Sequence, residues 1–379
     1  MSQSDALAIV GAGLAGLSLV DAILKEGTEA SRITVIDGGD PRRGSSTPAT
    51  MLHPFPGRTI RLSRGQGDSF VRSWEILQGW RRRLGDEKWW CSAAMVRPID
   101  DDDRGRQLLE SWEDVSPDFP APITGERLSA AAVTRRFAGI ESEVDALIYE
   151  PAAAVLIPKL IELLRADLEG RGVTFIDRKV KKIRHDQPGW SLISGRIVLW
   201  EGARVVMANG PWLHHFFHGL DLRCRAGEVA VLDPGDAELG ATVNGKKHLF
   251  VRPDGTWGLG STYFRPPQWD ERDDEHIVEK LKAGVADFVP AVWDARVVQI
   301  WRGIRGVFGS DHMPLVGPVP GSPGLFSFAA FGSKGLLWAP SAAADMARYL
   351  GGDGEAISTH MDARRMSREK WGIWEGMMG

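Results

Sequence analysis

Apolar residues arrive along this chain in short blocks, punctuated by glycine and proline. Ala6–Val10 is an unbroken apolar run of strand length, which predicts a strand buried on both faces. Leu14–Glu26 repeats its apolar positions at helical spacing and stops at Gly27. Ile33–Ile36 is a second buried strand and ends on Asp37. Helical spacing recurs over 67–84, with Phe70, Trp74, Leu77 and Leu84 on one face. It also predicts helices over Thr124–Phe137, Ile157–Leu168, Asp274–Phe288 and Leu336–Leu350. Strands are predicted at Val173–Ile176, Lys179–Ile183, Trp190–Leu192, Gly195–Trp200 and Ala203–Met207. Glu228–Leu232, His248–Arg252 and Thr256–Gly260 then alternate with turns, the pattern of an antiparallel sheet. Ala49–Arg58 has two prolines around a phenylalanine and predicts an extended segment. Asp100–Asp103 reads as a solvated loop, since it lacks the spacing and glycine of a calcium loop.

The N-terminal order is strand, glycine turn, helix, strand, acid. Gly11, Gly13 and Gly16 form the GxGxxG pattern at the first turn. Gly11 permits the tight turn, Gly13 lets the backbone approach a pyrophosphate, and Gly16 lets the helix pack on the strand. The helix start at Leu14 and Ala15 offers N–H groups and a positive dipole end to phosphates. Asp37 suits the ribose hydroxyls of an adenosine, and an acid there argues against a 2'-phosphate. The pattern predicts a dinucleotide site and does not separate NAD from FAD. The loop after Asp37 is polar and cationic at Arg42 and Arg43, a place for a second phosphate or cofactor contact. Ala208-Asn209-Gly210-Pro211-Trp212 follows a buried strand and marks another close approach.

Composition narrows the class. At 379 residues and net charge -4, the chain is long enough for about two to three domains and has no overall basic footprint for nucleic acid. With 43% hydrophobic and 25% charged residues it is not globally disordered. Its 44 glycines fit many tight turns, and its 15 tryptophans fit aromatic packing or an aromatic-lined pocket. The two cysteines, Cys91 and Cys224, exclude a disulfide framework or a cysteine zinc site. His214 and His218 have i, i+4 spacing without the glutamate of HExxH, so no metal is expected. No GxSxG elbow or P-loop lysine motif occurs. No apolar run reaches the ~18 residues of a spanning helix, and no targeting signal is found, so a cytoplasmic location is the default expectation.

Two late segments decide between cofactors. One is Trp301–Gly317, which contains SDHMPLVG; the other is Leu325–Pro340, LFSFAAFGSKGLLWAP, a strand, a Gly-Ser-Lys-Gly turn and a helix. With the N-terminal motif and Ala208-Asn209-Gly210, they resemble the D-amino acid oxidase/glycine oxidase superfamily of FAD-dependent amine oxidoreductases. The resemblance covers nearly the whole chain. Within the superfamily the tail looks most like the C-terminal oxidase domain of the MnmC tRNA-modification enzymes.

The resemblance implies an α/β fold. A discontinuous, Rossmann-like FAD-binding domain is expected from residues 1–75, 150–212 and 300–379, and an antiparallel-sheet substrate domain from 76–149 and 213–299. It implies FAD contacts at Gly11, Gly13, Leu14, Ala15, Gly16, Asp37, Gly38, Arg43, Ser45, Ser46, Thr50, Met51 and Val180. Ala208, Asn209, Gly210, Trp212, Arg305, Gly332, Ser333, Lys334, Gly335 and Leu336 complete that set. The implied reaction is oxidation of the C–N bond of an amino-acid-like amine, with hydride passing to flavin N5 and the imine then hydrolysing. Arg305 matches the carboxylate-binding arginine, with Arg302 as a rival. Tyr263 is expected to close the pocket, and His53 to face the flavin or form its wall. One alternative is MnmC-like removal of a carboxymethyl group from tRNA, for which Arg58, Arg61, Arg64, Arg72 and Arg81–Arg83 are the candidate basic face. Another is a flavin-binding protein without turnover. The identity of the amine, the electron acceptor and the oligomeric state are not read from the sequence.

Overall fold

The computed structural model describes residues 6–57, 59–60, 66–85, 88–100, 102–115, 119–186, 189–264, 273–309 and 311–372. The chain divides into two compact units. The first is Met1–Ser46, Ile161–Arg225 and Ile304–Gly379; the second is Thr47–Leu160 and Ala226–Gly303.

The first unit is built on a six-stranded sheet. Its order is Leu315–Pro318, Leu325–Ala329, Arg204–Met207, Leu7–Val10, Ile33–Ile36, Thr174–Ile176. All neighbours are parallel except the first pair, which is antiparallel. Helices Leu14–Lys25 and Gly335–Leu350 follow strands of this sheet and bury most of their residues. The unbroken apolar runs of the central strands follow from burial on both faces. A three-stranded antiparallel meander, Lys182–Asp186, Gly189–Ser194 and Ile197–Gly202, belongs to the same unit.

The second unit holds a nine-stranded sheet. Its path runs Arg296–Phe308, Leu222–Asp233, Trp257–Gly260, His248–Val251, Thr242–Asn244, Trp90–Pro98, Ala146–Val155, Met51–Leu52, and Thr124–Leu128 also pairs with Ala146–Val155. One face is apolar. Val96, Ile148, Val243, Leu249 and Leu259 pack there with Ile277 and Leu281 of helix Asp274–Lys282.

The structure corrects three local expectations. Thr124–Phe137 is not one helix: Thr124–Leu128 is a strand, and the helix covers only Ala130–Arg136. Gly125 explains the break, because a Cβ there would meet the Trp112 ring at 2.6 Å. The strand closes on that ring, and glycine is a poor helix former in any case. The acidic run is more than a solvated loop. Asp103 opens the helix Asp103–Val115, and Asp102 Oδ1 accepts from the backbone N–H groups of Arg104 and Gly105 at 2.8 and 2.9 Å. The helix from Asp274 ends at Lys282, whose ammonium donates to the carbonyls of Trp293 and Ala295. Among the described residues no helix is long and apolar enough to cross a membrane, and no cluster of three or more His, Cys, Asp or Glu could hold a metal ion.

Candidate functional site

The carboxyl ends of the parallel strands in the first unit gather its glycine motifs. Leu7–Val10 delivers Gly11, whose N–H donates to Ile36 O at 2.8 Å and whose φ is +116°. A Cβ on Gly11 would lie 2.6 Å from Ala208 O, and one on Gly16 would lie 1.9 Å from Gly11 O. Both contacts are with backbone, so neither neighbour can swing away. Gly13 is the N-cap of the first helix, without a side-chain cap, and no acid sits in the first turn. The Leu14 N–H, next to Ala15, is instead held by Ser45 Oγ at 3.1 Å. The helix start therefore packs against the loop that follows Asp37. Its dipole favours an anion there.

That loop is internally braced. Ser46 N–H donates to Arg43 O, and Gly38 packs on the Lys179 side chain, next to buried Val180. Arg43 forms an ion pair with Asp37, so the two residues expected to meet a cofactor separately are partners. A carboxylate has about four acceptor sites, which leaves Asp37 capacity for ribose hydroxyls. Arg43 Nε is buried without a hydrogen-bond partner.

Three more segments reach the same strand ends. Arg204–Met207 delivers Ala208, Asn209, Gly210 (φ +56°) and Trp212; Ala208 N–H donates to Val10 O at 2.9 Å, and Trp212 N–H to Asn209 O at 3.2 Å. Leu325–Ala329 delivers Ala330, Gly332 and the turn through Ser333 and Lys334 into the helix at Gly335 and Leu336. Ala330 holds φ +64°, a conformation that a residue with a Cβ rarely adopts. Lys334 Nζ lies 4.5 Å from the Trp338 ring centroid. The third segment carries Arg305. On one side of it, Ile304 N–H donates to Arg42 O at 2.7 Å; on the other, Gly306 O accepts from Gly332 N–H at 3.1 Å. Gly306 also packs on Pro211, where a Cβ would come within 2.9 Å of Cα.

The remaining expected residues lie in the second unit. Thr50 Oγ1 is buried with no hydrogen-bond partner, and Met51 pairs with Ala154. His53 is buried beside Tyr149, and burial, with His248 and Arg97 nearby, lowers its pKa to about 3. Tyr263 is 56% exposed. Arg302 pairs with Asp274 and lies 3.6 Å from Glu228, a fully buried carboxylate that also accepts from Thr262 Oγ1 at 2.9 Å. Arg302 thus has a structural task. Arg58, Arg61 and Arg64 lie outside the described residues, while Arg81 stacks on Trp90 and Arg82 and Arg83 are exposed at a helix end.

FAD fits the residues of the first unit. Its glycines admit backbone where a Cβ would collide. Of the five buried side-chain polar atoms without partners among its described residues, three, Arg43 Nε, Asn209 Oδ1 and Trp338 Nε1, belong to the segments that converge at the strand ends. Such atoms in an interior call for a ligand or a water. Trp338 and Ala330 were not singled out from sequence: a buried indole N–H and a positive φ leave no mark in residue spacing.

Comparison with known proteins agrees with this geometry. The family model described as "FAD dependent oxidoreductase" (DAO) matches residues 6–349. The curated tRNA 5-methylaminomethyl-2-thiouridine biosynthesis bifunctional protein MnmC of Maricaulis maris is 27% identical over 355 residues, covering 93% of this chain and 53% of that protein. The chain thus spans about half the length of the curated relatives it matches. Among solved structures, glycine oxidase from Bacillus cereus superposes with a TM-score of 0.79 at 18% identity, covering 93% of this chain and 96% of that one. Iminodiacetate oxidase from Chelativorans sp. BNC1 superposes at 0.76 with 19% identity, covering 91% and 95%. The match over most of the chain, with the glycine cradle that the family's cofactor requires, places this protein in the DAO family of FAD-dependent oxidoreductases.

Proposed function

We propose that the protein oxidises the C–N bond of an amino-acid-like primary or secondary amine, and that Arg305 binds the substrate carboxylate. The observation that supports this most directly is the bracing of Arg305. Its two chain neighbours are tied by backbone hydrogen bonds to the loop after Asp37 and to the Gly332 turn. These bonds fix the backbone at Arg305, and a guanidinium is the side chain that can bind a carboxylate with two parallel hydrogen bonds.

When bound, FAD would supply the two-electron acceptor for the oxidation of the C–N bond. The chain's residues bind and orient. Gly11, Gly13 and Gly16 admit the pyrophosphate to the start of the first helix, and Asp37 takes the ribose hydroxyls. The second helix start, at Gly335, offers N–H groups and a positive dipole end that would stabilise negative charge on the cofactor. Arg305 holds the carboxylate and so fixes which carbon faces the reacting atom. The amine loses hydride from carbon and a proton from nitrogen, and water then splits the resulting imine into a carbonyl compound and ammonia, or an amine where the substrate is secondary.

The test is anaerobic titration of the purified yellow protein with glycine and sarcosine, followed by the visible spectrum. Bleaching by either supports amine oxidation. A flavin spectrum that no amine bleaches would favour a binding protein without turnover. The MnmC relatives favour a second reading, removal of a carboxymethyl group from tRNA. That reading requires tRNA affinity falling steeply with salt.

A further inference from the structure

Four neighbouring strands of the second unit each place a polar residue on the same face of the sheet. In order across it these are His248, Asn244, Arg97 and Tyr149. The register shows why. Met95 pairs with Tyr149 and Arg97 with Leu147, while Val96 pairs with Val243, which sets Asn244 beside Arg97; Asn244 in turn pairs with His248. The alternate residues Val96, Ile148, Val243 and Leu249 face the opposite side, into the apolar core.

This polar face is buried and incompletely satisfied. Arg97 is 6% exposed. Its Nη2 donates to Gly57 O at 2.8 Å, and its Nη1 has no hydrogen-bond partner. Among the described residues no carboxylate forms an ion pair with it. The Tyr149 hydroxyl lies beside the Arg97 guanidinium and meets His53 Nδ1 and Asn244 Nδ2 at 3.5 Å each, the outer limit of a hydrogen bond. Phe55, fully buried, stands edge-on to Tyr149 with ring centroids 5.0 Å apart. A buried guanidinium without a counter-charge is expensive, and low polarity around it strengthens attraction for an anion.

We propose that Arg97, with Tyr149 and Asn244, forms a carboxylate-binding site of the second unit that takes a carboxylate additional to the one assigned to Arg305. Nη1 donates to one carboxylate oxygen, and the Tyr149 hydroxyl donates to it while accepting from Asn244. The site itself does not require turnover. The ligand class is a small carboxylate anion, and the site stands apart from the function proposed above.

The experiment uses the FAD-containing protein and malonate as probe. Binding is followed calorimetrically for wild type, Arg97→Met, Arg97→Lys and Arg305→Met. Malonate is expected to bind at least about tenfold more weakly to Arg97→Met, with a smaller loss for Arg97→Lys, whose charge remains without the fork. Arg305→Met should keep this Arg97-dependent component. Equal malonate affinity in wild type and a folded Arg97→Met overturns the site. If Arg97→Met does not fold, a crystal structure of wild type with malonate decides: a carboxylate on Nη1 supports the site, and only an ordered water there at saturating malonate overturns it. Failure of every amine to bleach the flavin would sink the proposed function and leave the malonate result standing.

Discussion

The position a Cβ would take on Gly16 lies 1.9 Å from the carbonyl oxygen of Gly11. No rotamer change relieves that overlap, because both groups are backbone in the first turn of the fold. Gly16→Ala is therefore expected to part the first helix from its strand, costing about 1–3 kcal/mol or more and most of the bound flavin. Flavin absorbance per protein after purification measures it. Gly170→Ala is the control, since a Cβ there meets nothing within 4 Å; equal flavin content in both variants would refute the packing role.

Asp37 shares its carboxylate with Arg43. Replacing Asp37 with Ala removes the ribose acceptor and leaves the Arg43 guanidinium unpaired. FAD affinity should fall by roughly ten- to a hundredfold, the worth of a hydrogen bond to a charged group. Titration of apoprotein with FAD reads the change, and an unaltered dissociation constant would remove Asp37 from the site.

Arg305 and Arg302 make opposite predictions although three residues apart. Arg305→Met should lower kcat/KM for carboxylate-bearing amines by about 2–3 kcal/mol of binding, or thirty- to a hundredfold and more, with little effect on the urea midpoint. Arg302→Met removes a cation from beside buried Glu228, so the urea midpoint should fall while KM holds. Reversed behaviour would exchange the two assignments.

His53 predicts an acid sensitivity. Its pKa is lowered from 6.5 to about 3 by burial first, then by His248 and Arg97; the uncharged Tyr149 faces it as well. Between those values the unfolded chain holds a proton that the folded chain excludes. Stability therefore declines as the pH drops from 6.5 toward 3. His53→Gln should flatten the dependence of the urea midpoint on pH in that window. A slope unchanged from wild type would show that His53 is not the group responsible.

The nucleotide half of this reading was legible because its physics is local. A strand, three glycines, a helix and an acid sit within one short stretch, and each has a steric or electrostatic task that spacing reveals. The late Gly-Ser-Lys-Gly turn was legible for the same reason. The sheet of the second unit was read less well. Trp90–Pro98 and Ala146–Val155 form its middle, yet neither was predicted: Pro151 interrupts the second, and residues 152–154 are alanines without β character. The group around Arg97 left no trace at all. Its members come from strands far apart in sequence, and only register brings Asn244 to Arg97. Arg302 shows the converse: an arginine near the expected carboxylate site belongs to a buried ion pair that no sequence spacing announces.

The strand order of the first sheet also sets a timetable. Leu7 pairs with Arg204, and Val205 with Leu325. At 5–20 residues per second of synthesis, the first strand leaves the ribosome about 10–40 s before its partner on that side exists. The glycine turn that it carries is made first and enclosed late, so its apolar run must stay unpaired on that edge until Arg204–Met207 has been made. The nascent strand should thus depend on holding chaperones in that interval, and the cofactor can be captured only after Leu325–Ala329 has joined the sheet.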